Sequence, residues 1–264
     1  NDGGNFLLST IEKDELLRIE PNAEQVIKPV VSAYEFLNGK VRFCIWLEDI
    51  SPTLLKQLKQ VQIRVENVKN LRLSSSRAAT QKLAAFPTLF GEIRQPKNKY
   101  VLVPRHSSEN RKYIPMGFFN PDVIVSDSCL AIDNATLFEF GMLQSKMHMA
   151  WVKYTCGRIK SDYRYSNEMV YNNYPWPKEP RDKNKKAVET KAQQVLDVRA
   201  EFPESSLADL YDQLTIPPKL VKAHQELDKA VDLSYRLQLF KSEASRIEYL
   251  FDLYKQYTEP LLNP

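Results

Sequence analysis

A chain of 264 residues, 43% hydrophobic and 27% charged, is long enough for two domains with separate cores and has the make-up of a soluble globular protein. No apolar run approaches the roughly 20 residues that a bilayer-crossing helix needs. No signal sequence opens the chain, and its three scattered cysteines, Cys44, Cys129 and Cys156, fit neither a disulfide framework nor a zinc spacing; a reducing cytoplasm is expected. The net charge of +4 (pI near 8.8) is mildly basic, but basic residues outnumber acids between Glu92 and Arg164, a local footprint suited to phosphates.

In chain order, Glu24–Leu37 carries a short helical pattern, and Asn38-Gly39 signals a turn. Lys40–Leu47 alternates Val41, Phe43 and Ile45 with Arg42, Cys44 and Trp46, a strand. Ser51-Pro52 reads as an N-cap followed by the first helical residue. Leu54, Leu58, Val61, Val65 and Val68 then form one apolar stripe, which packing explains. Arg77–Phe86 is helical up to Pro87. Tyr100–Val103, Tyr113–Phe118, Asp122–Val125 and Cys129–Ile132 are short strand patterns separated by turn residues. Thr136–Lys153 returns to helix with Leu137, Phe140, Leu143, Met147 and Ala150 on one face. His148 within it reads as a packed residue and not a catalyst.

After Pro177 the composition shifts. Lys178–Lys186 is charged, Pro203–Pro218 is irregular, and Lys185–Glu201, Lys219–Leu239 and Glu243–Tyr257 carry amphipathic helical stripes. The expected fold class is α+β: a connecting region over 1–50, a mixed α/β domain over 51–177 and a small all-helical unit over 178–264.

The most informative segment is Cys156-Gly157-Arg158-Ile159-Lys160-Ser161-Asp162-Tyr163-Arg164-Tyr165-Ser166, a polar loop closed by Pro175-Trp176-Pro177. Lys or Arg donates to guanine O6 and N7, a carboxylate accepts from cytosine N4, and Arg and Tyr hold phosphates. The competing reading is a solvated turn with a local Lys160–Asp162 pair. Arg77-Ala78-Ala79-Thr80, Leu89–Pro96, Val103-Pro104-Arg105, Ser108–Phe118, Ser145–Val152 and Tyr171–Pro177 surround this loop in order.

Taken as one string, Arg77–Pro177 resembles the target recognition region of a DNA methyltransferase family, the single-chain restriction–modification enzymes of the MmeI type and their methyltransferase-only relatives. Asn1-Asp2-Gly3-Gly4-Asn5 resembles the family's segment just after its methyltransferase core, so a C-terminal piece of a larger adenine-specific enzyme is expected. The resemblance implies double-stranded DNA and an upstream methyltransferase domain as partners, without a membrane. It places a two-residue specificity determinant at Lys160 and Asp162, reading one G·C pair; some relatives carry the reverse charge order. Arg164 is the third expected base reader, and Arg158 flanks the pair. Ser108, Asn110, Arg111 and Lys112 form a second polar loop for DNA, with Arg105 nearby. Arg77 and Arg94, beside apolar residues, fit either DNA contact or packing.

Seven glycines make no Gly-x-Gly, and neither Phe119-Asn120-Pro121-Asp122 nor Asn173-Tyr174-Pro175-Trp176 has the double proline of an adenine-holding loop. No cofactor is therefore expected in this fragment, and S-adenosylmethionine is expected for the upstream catalytic domain. Two other functions stay open: a helical interaction or spacer module docking on the methyltransferase core, and an inactive α+β domain for carbohydrate or nucleotide.

Overall fold

The computed structural model describes residues 2–262. Strand β1 (Leu7–Leu8) leads through the Ser9 capping box into helix α1 (Thr10–Ile19). Glu24–Leu37 is not one helix: a 3-10 turn (Pro21–Val26) gives way to β2 (Ile27–Val31) and α2 (Ala33–Asn38). Pro29 cannot continue a helix, the β-branched residues around it favour strand, and Ser32 with Glu35 makes a capping box that starts the helix afresh. Gly39, at φ +61°, ends it, and β3 (Arg42–Ile45) follows.

Ser51 caps α3 (Pro52–Gln57), its side chain accepting from the Leu54 amide. The expected single stripe breaks at Leu58, where α4 (Lys59–Leu73) begins. Glu20, from outside the helix, accepts from the Gln60 and Val61 amides at 3.2 and 3.3 Å, so a tertiary cap starts α4. α5 (Ala78–Lys82) and a 3-10 turn precede β4 (Tyr100–Pro104) and β5 (His106–Ser107). The Tyr113–Phe118 strand pattern yields only β6 (Gly117–Phe119), because side chains take the earlier carbonyls: Gln144 donates to Ile114 O and Arg199 to Met116 O.

Then come β7 (Ile124–Val125) and β8 (Cys129–Asp133). Helix Thr136–Lys153 divides into α6 (Leu137–Leu143) and α7 (Lys146–Thr155). The buried Ser145 caps α7, and the Asp228 carboxylate accepts from the Lys146 amide at 2.7 Å. β9 (Gly157–Ile159) and β10 (Asp162–Arg164) make a hairpin where a loop was expected. Past Pro177 stand α8 (Asp182–Ala200), the short α9 (Leu207–Leu210), α10 (Pro218–Tyr235) and α11 (Glu243–Leu262). The fold is α+β, with a mixed region followed by a helical part; among the described residues no strand follows Arg164.

Among the described residues three small sheets run β1-β3-β2-β7, β5-β10-β9 and β6-β4-β8. The first takes β7 in parallel against β2, so residues 7–45 share a sheet with residues 124–125. The main core runs without a gap from Val101 and Val103 through Trp151 to Val188, Leu227 and Leu250. Polar links reinforce the junction: Tyr113 donates to Asp228 at 2.8 Å and stacks on His224 at 4.0 Å, and Arg199 reaches Tyr211, Met116 and Gln144. The helical unit thus shares one core with the sheet region. All three cysteines are buried as free thiols. No described helix is long and apolar enough to cross a membrane.

Candidate nucleic-acid interface

The hairpin pairs Asp162 with Ile159, Tyr163 with Arg158 and Arg164 with Gly157; β5 pairs Ser107 with Tyr163 and His106 with Arg164. Strand alternation then sorts the side chains. Ser107 and Tyr163, each 3% exposed, point into the core. His106, Ile159, Asp162 and Arg164 point outward, and all four are exposed. A three-stranded sheet therefore presents one polar face to solvent.

Its tip is the two-residue turn Lys160-Ser161, with Lys160 at φ +55°, a left-handed conformation uncommon for a residue with a side chain. Arg158 stabilises this turn. Its guanidinium donates to Ser161 O at 2.6 Å, lies 4.1 Å from the Tyr163 ring centroid and stands 3.6 Å from the Glu109 carboxylate. Among the described residues, the side chains of Lys160, Arg164 and His106 make no hydrogen bond or ion pair. The solvated Lys160–Asp162 ion pair is therefore not formed.

Asp162 is instead held by the second polar loop, since its Oδ1 accepts from the Glu109 amide at 3.2 Å. Arg111, half-buried, feels the Asp162 and Asp212 carboxylates; burial pushes its pKa down and those charges push it back up. Gln213 donates to Asn110 O, tying this loop to the helical part. Ser108 accepts from the Asn110 amide at 3.3 Å, and Lys112 is exposed. The two polar loops of the sequence thus form one surface.

Beside it, Arg94 and Arg105 line a cleft of about 480 Å³ with Asp127, Tyr165 and Tyr171. Arg105 joins the cleft to the sheet, its carbonyl accepting from the Tyr165 amide at 2.7 Å; its Nε is buried without a hydrogen-bond partner among the described residues. Arg94 is exposed and paired with Glu92 at 2.7 Å. Arg77 stands apart as the exposed N-cap of α5, and no described hydrogen bond or ion pair links it to the sheet. The sequence reading did not single out His106, whose outward position follows from pairing with Arg164, 58 positions later, nor the Glu109 amide, which no side-chain motif reveals.

The other polar clusters are built for packing. His148 is fully buried, hydrogen-bonded to Tyr165 at 2.9 Å, and burial lowers its pKa to about 3. His224 is equally buried, against Tyr211 at 2.8 Å, and its pKa is lowered to about 3, by burial first and by Arg199 second. Among the described residues, no group of three or more His, Cys, Asp and Glu could hold a metal ion.

Comparison with known proteins gives a consistent result. The family described as "MmeI, target recognition domain" matches residues 1–178, and that described as "MmeI, C-terminal domain" matches residues 180–262. DNA methyltransferase A of Bacillus subtilis (strain 168) is 38% identical over 259 residues, which is 98% of this chain and 29% of that protein. A solved structure of the type IIL restriction-modification enzyme MmeI in complex with DNA superposes with a TM-score of 0.94 at 40% identity, covering 98% of this chain and 34% of that one. The chain therefore spans about a third of the length of these relatives.

Proposed function

The chain belongs to the MmeI family, and on that premise we propose that it selects the DNA sequence on which a longer adenine-specific methyltransferase or restriction–modification enzyme acts. The outward face of β5–β10–β9 carries this reading. A major groove admits a β-ribbon, and here the ribbon offers cations and one carboxylate at defined spacing. Lys160 donates to guanine acceptors, and Asp162 accepts from the cytosine amino group of the same pair, each good contact contributing about 1–3 kcal/mol of discrimination. Arg164 reads a neighbouring position. Arg158 holds the turn and adds positive charge beside the readers. Arg105, Arg111, Lys112, Ser108 and Asn110 supply sequence-independent grip around the readers, and Arg94 and Arg77 add to it further out.

Anchoring supports this division. Asp162 is fixed by the Glu109 amide before any DNA arrives, so little freedom is lost when it meets a base. The helical unit serves as a rigid brace that docks on a catalytic domain; Leu214 and Leu237 are exposed near opposite ends of α10. S-adenosylmethionine would be the methyl donor held by that domain. The residues here do not fit it: among the described residues no passage from strand to helix contains a glycine, being made by Ser9, by Ser32, by Trp46–Ser51 and by Asn134–Thr136.

The test uses the full-length enzyme. Lys160→Glu with Asp162→Arg exchanges donor and acceptor, so preference at one position should move from G·C toward C·G. Sequencing of the modified sites reads the outcome. A folded, active double variant with an unchanged methylated sequence would overturn the assignment.

A further inference from the structure

The strand register places His106 directly across from Arg164, both outward, on neighbouring strands of the same sheet. Such cross-strand neighbours have Cβ atoms about 4.5–5.5 Å apart. The opposite flank of Arg164 is Gly157, where an added Cβ would meet only the Arg164 carbonyl at 3.9 Å and its Cβ at 4.0 Å. Within its row across the sheet, Arg164 therefore has one side-chain neighbour, and it is an imidazole. Neither side chain is engaged elsewhere among the described residues. His106 lies on an edge strand, and the residues around it, Arg105 and Ser107, turn away from this face into half-buried and buried positions.

We propose that His106 is a specificity-determining residue that reads DNA together with Arg164, a role resting on the recognition function proposed above. The chemistry is complementary. A guanidinium offers donors only, whereas a neutral imidazole offers one donor and one acceptor. An arginine alone selects guanine through O6 and N7. An imidazole beside it adds a ring nitrogen that accepts from an adenine or cytosine amino group, or donates to a purine N7, on the same or the adjoining pair. The side-by-side placement in the sheet lets both reach the groove floor without crossing. A phosphate contact is the other use of an exposed histidine, and the two differ in outcome: base reading changes which sequences are accepted, phosphate contact changes all sequences alike.

The experiment compares His106→Ala, Arg164→Ala and the Lys160→Glu/Asp162→Arg double variant in the full-length enzyme, by sequencing modified sites at matched extents of methylation. His106 is exposed and hydrogen-bonds to nothing described, so its alanine variant should fold, which circular dichroism and thermal melting check. The expected result is that His106→Ala relaxes base preference at the position that Arg164→Ala also relaxes, or at the adjoining one, by roughly 5–150-fold, the range that about 1–3 kcal/mol of base discrimination corresponds to. Unchanged preference at every position would overturn the proposal, as would a uniform drop in rate with preference intact, which marks a phosphate contact. If the Lys160/Asp162 exchange and Arg164→Ala also leave preference unchanged, the recognition reading itself falls. If those two shift it and His106→Ala does not, only the role of His106 falls.

Discussion

The Asp162 carboxylate takes a hydrogen bond from the backbone amide of Glu109 at 3.2 Å, across 53 positions of sequence. This contact links the hairpin to the 108–112 loop, and it gives the carboxylate an anchoring role beside the base-reading role proposed for it. Asp162→Asn keeps an oxygen for the Glu109 amide but turns the other end of the side chain into a donor. Asp162→Ala removes both. The Asn variant should keep wild-type stability and lose discrimination at the position read by Asp162. The Ala variant should lose the same discrimination and, in addition, about 0.5–1.5 kcal/mol of stability, at the low end because the site is exposed. Chemical unfolding together with modified-site sequencing checks both. Equal stability of the two variants would show that the Glu109 contact contributes nothing.

Lys112 and Arg158 carry the same charge and should behave differently. Lys112 is exposed and unengaged among the described residues, so Lys112→Ala should weaken DNA binding on all sequences and lower the steepness of the log–log salt dependence by about 0.9. Arg158 is committed to Ser161 O, Glu109 and the Tyr163 ring. Arg158→Ala should loosen the Lys160-Ser161 turn and blur base discrimination more than it changes the salt slope. Titrations between about 50 and 200 mM salt on matched and mismatched duplexes separate the two effects. A pure slope change for Arg158→Ala would mean that its intramolecular contacts do not hold the turn.

The elements set by local chemistry were legible in the sequence. Ser51-Pro52 starts a helix as expected, the expected Lys40–Leu47 strand forms over Arg42–Ile45, and the three amphipathic stripes after Pro177 are helices. What escaped depends on distant partners. Glu20 starts α4 from 40 positions away, and Asp228 helps open α7 from 82 positions away. The Cys156–Ser166 segment has two β-prone runs of three residues, too short for an alternation signal, and it becomes a hairpin because β5 supplies an edge to pair with. The base-reading role proposed for Lys160 and Asp162 rests on family resemblance, since the local letters fit a solvated turn equally well. His106 was invisible for the same reason as the hairpin.

Gly141 in α6 should be intolerant of any side chain. A Cβ there would come within 2.7 Å of Val188 Cγ1, 3.1 Å of Ala192 Cβ and 3.3 Å of Leu227 Cδ1. Helix propensity alone favours alanine over glycine by about 1 kcal/mol. The contact should win, because a valine within a helix is confined to one χ1 rotamer and cannot swing aside. Gly141→Ala should therefore be destabilising, within the overpacking range of about 1–3 kcal/mol. Val188→Ala in the same chain should recover part of that loss, as measured by thermal melting. An unaltered or higher melting temperature for Gly141→Ala would show that α6 and α8 can move apart without penalty.

The two buried histidines should make the fold sensitive to acid. His148 and His224 have their pKa values lowered to about 3 from the ordinary 6.5, His148 by burial and His224 by burial followed by the Arg199 charge. In the folded chain both stay neutral at pH 5, whereas the unfolded chain protonates them below about 6.5. The unfolded state then binds more protons, so stability falls as pH drops from about 6.5 toward 3, and is fully present above that window. Each histidine contributes up to about 1.4 kcal/mol per pH unit inside it. Asp228 acts in the opposite sense: burial raises its pKa, so protonating it in the folded chain relieves part of a desolvation cost as the solution is acidified. One partly offsetting carboxylate against two histidines leaves a net loss. Urea unfolding at pH 7.5, 6 and 5 should show a falling midpoint. His148→Gln, which can keep a hydrogen bond to Tyr165, should flatten the decline by about one histidine's share even if it lowers stability at pH 7.5. A pH profile unchanged in slope by that substitution would mean that His148 is charged inside the folded protein.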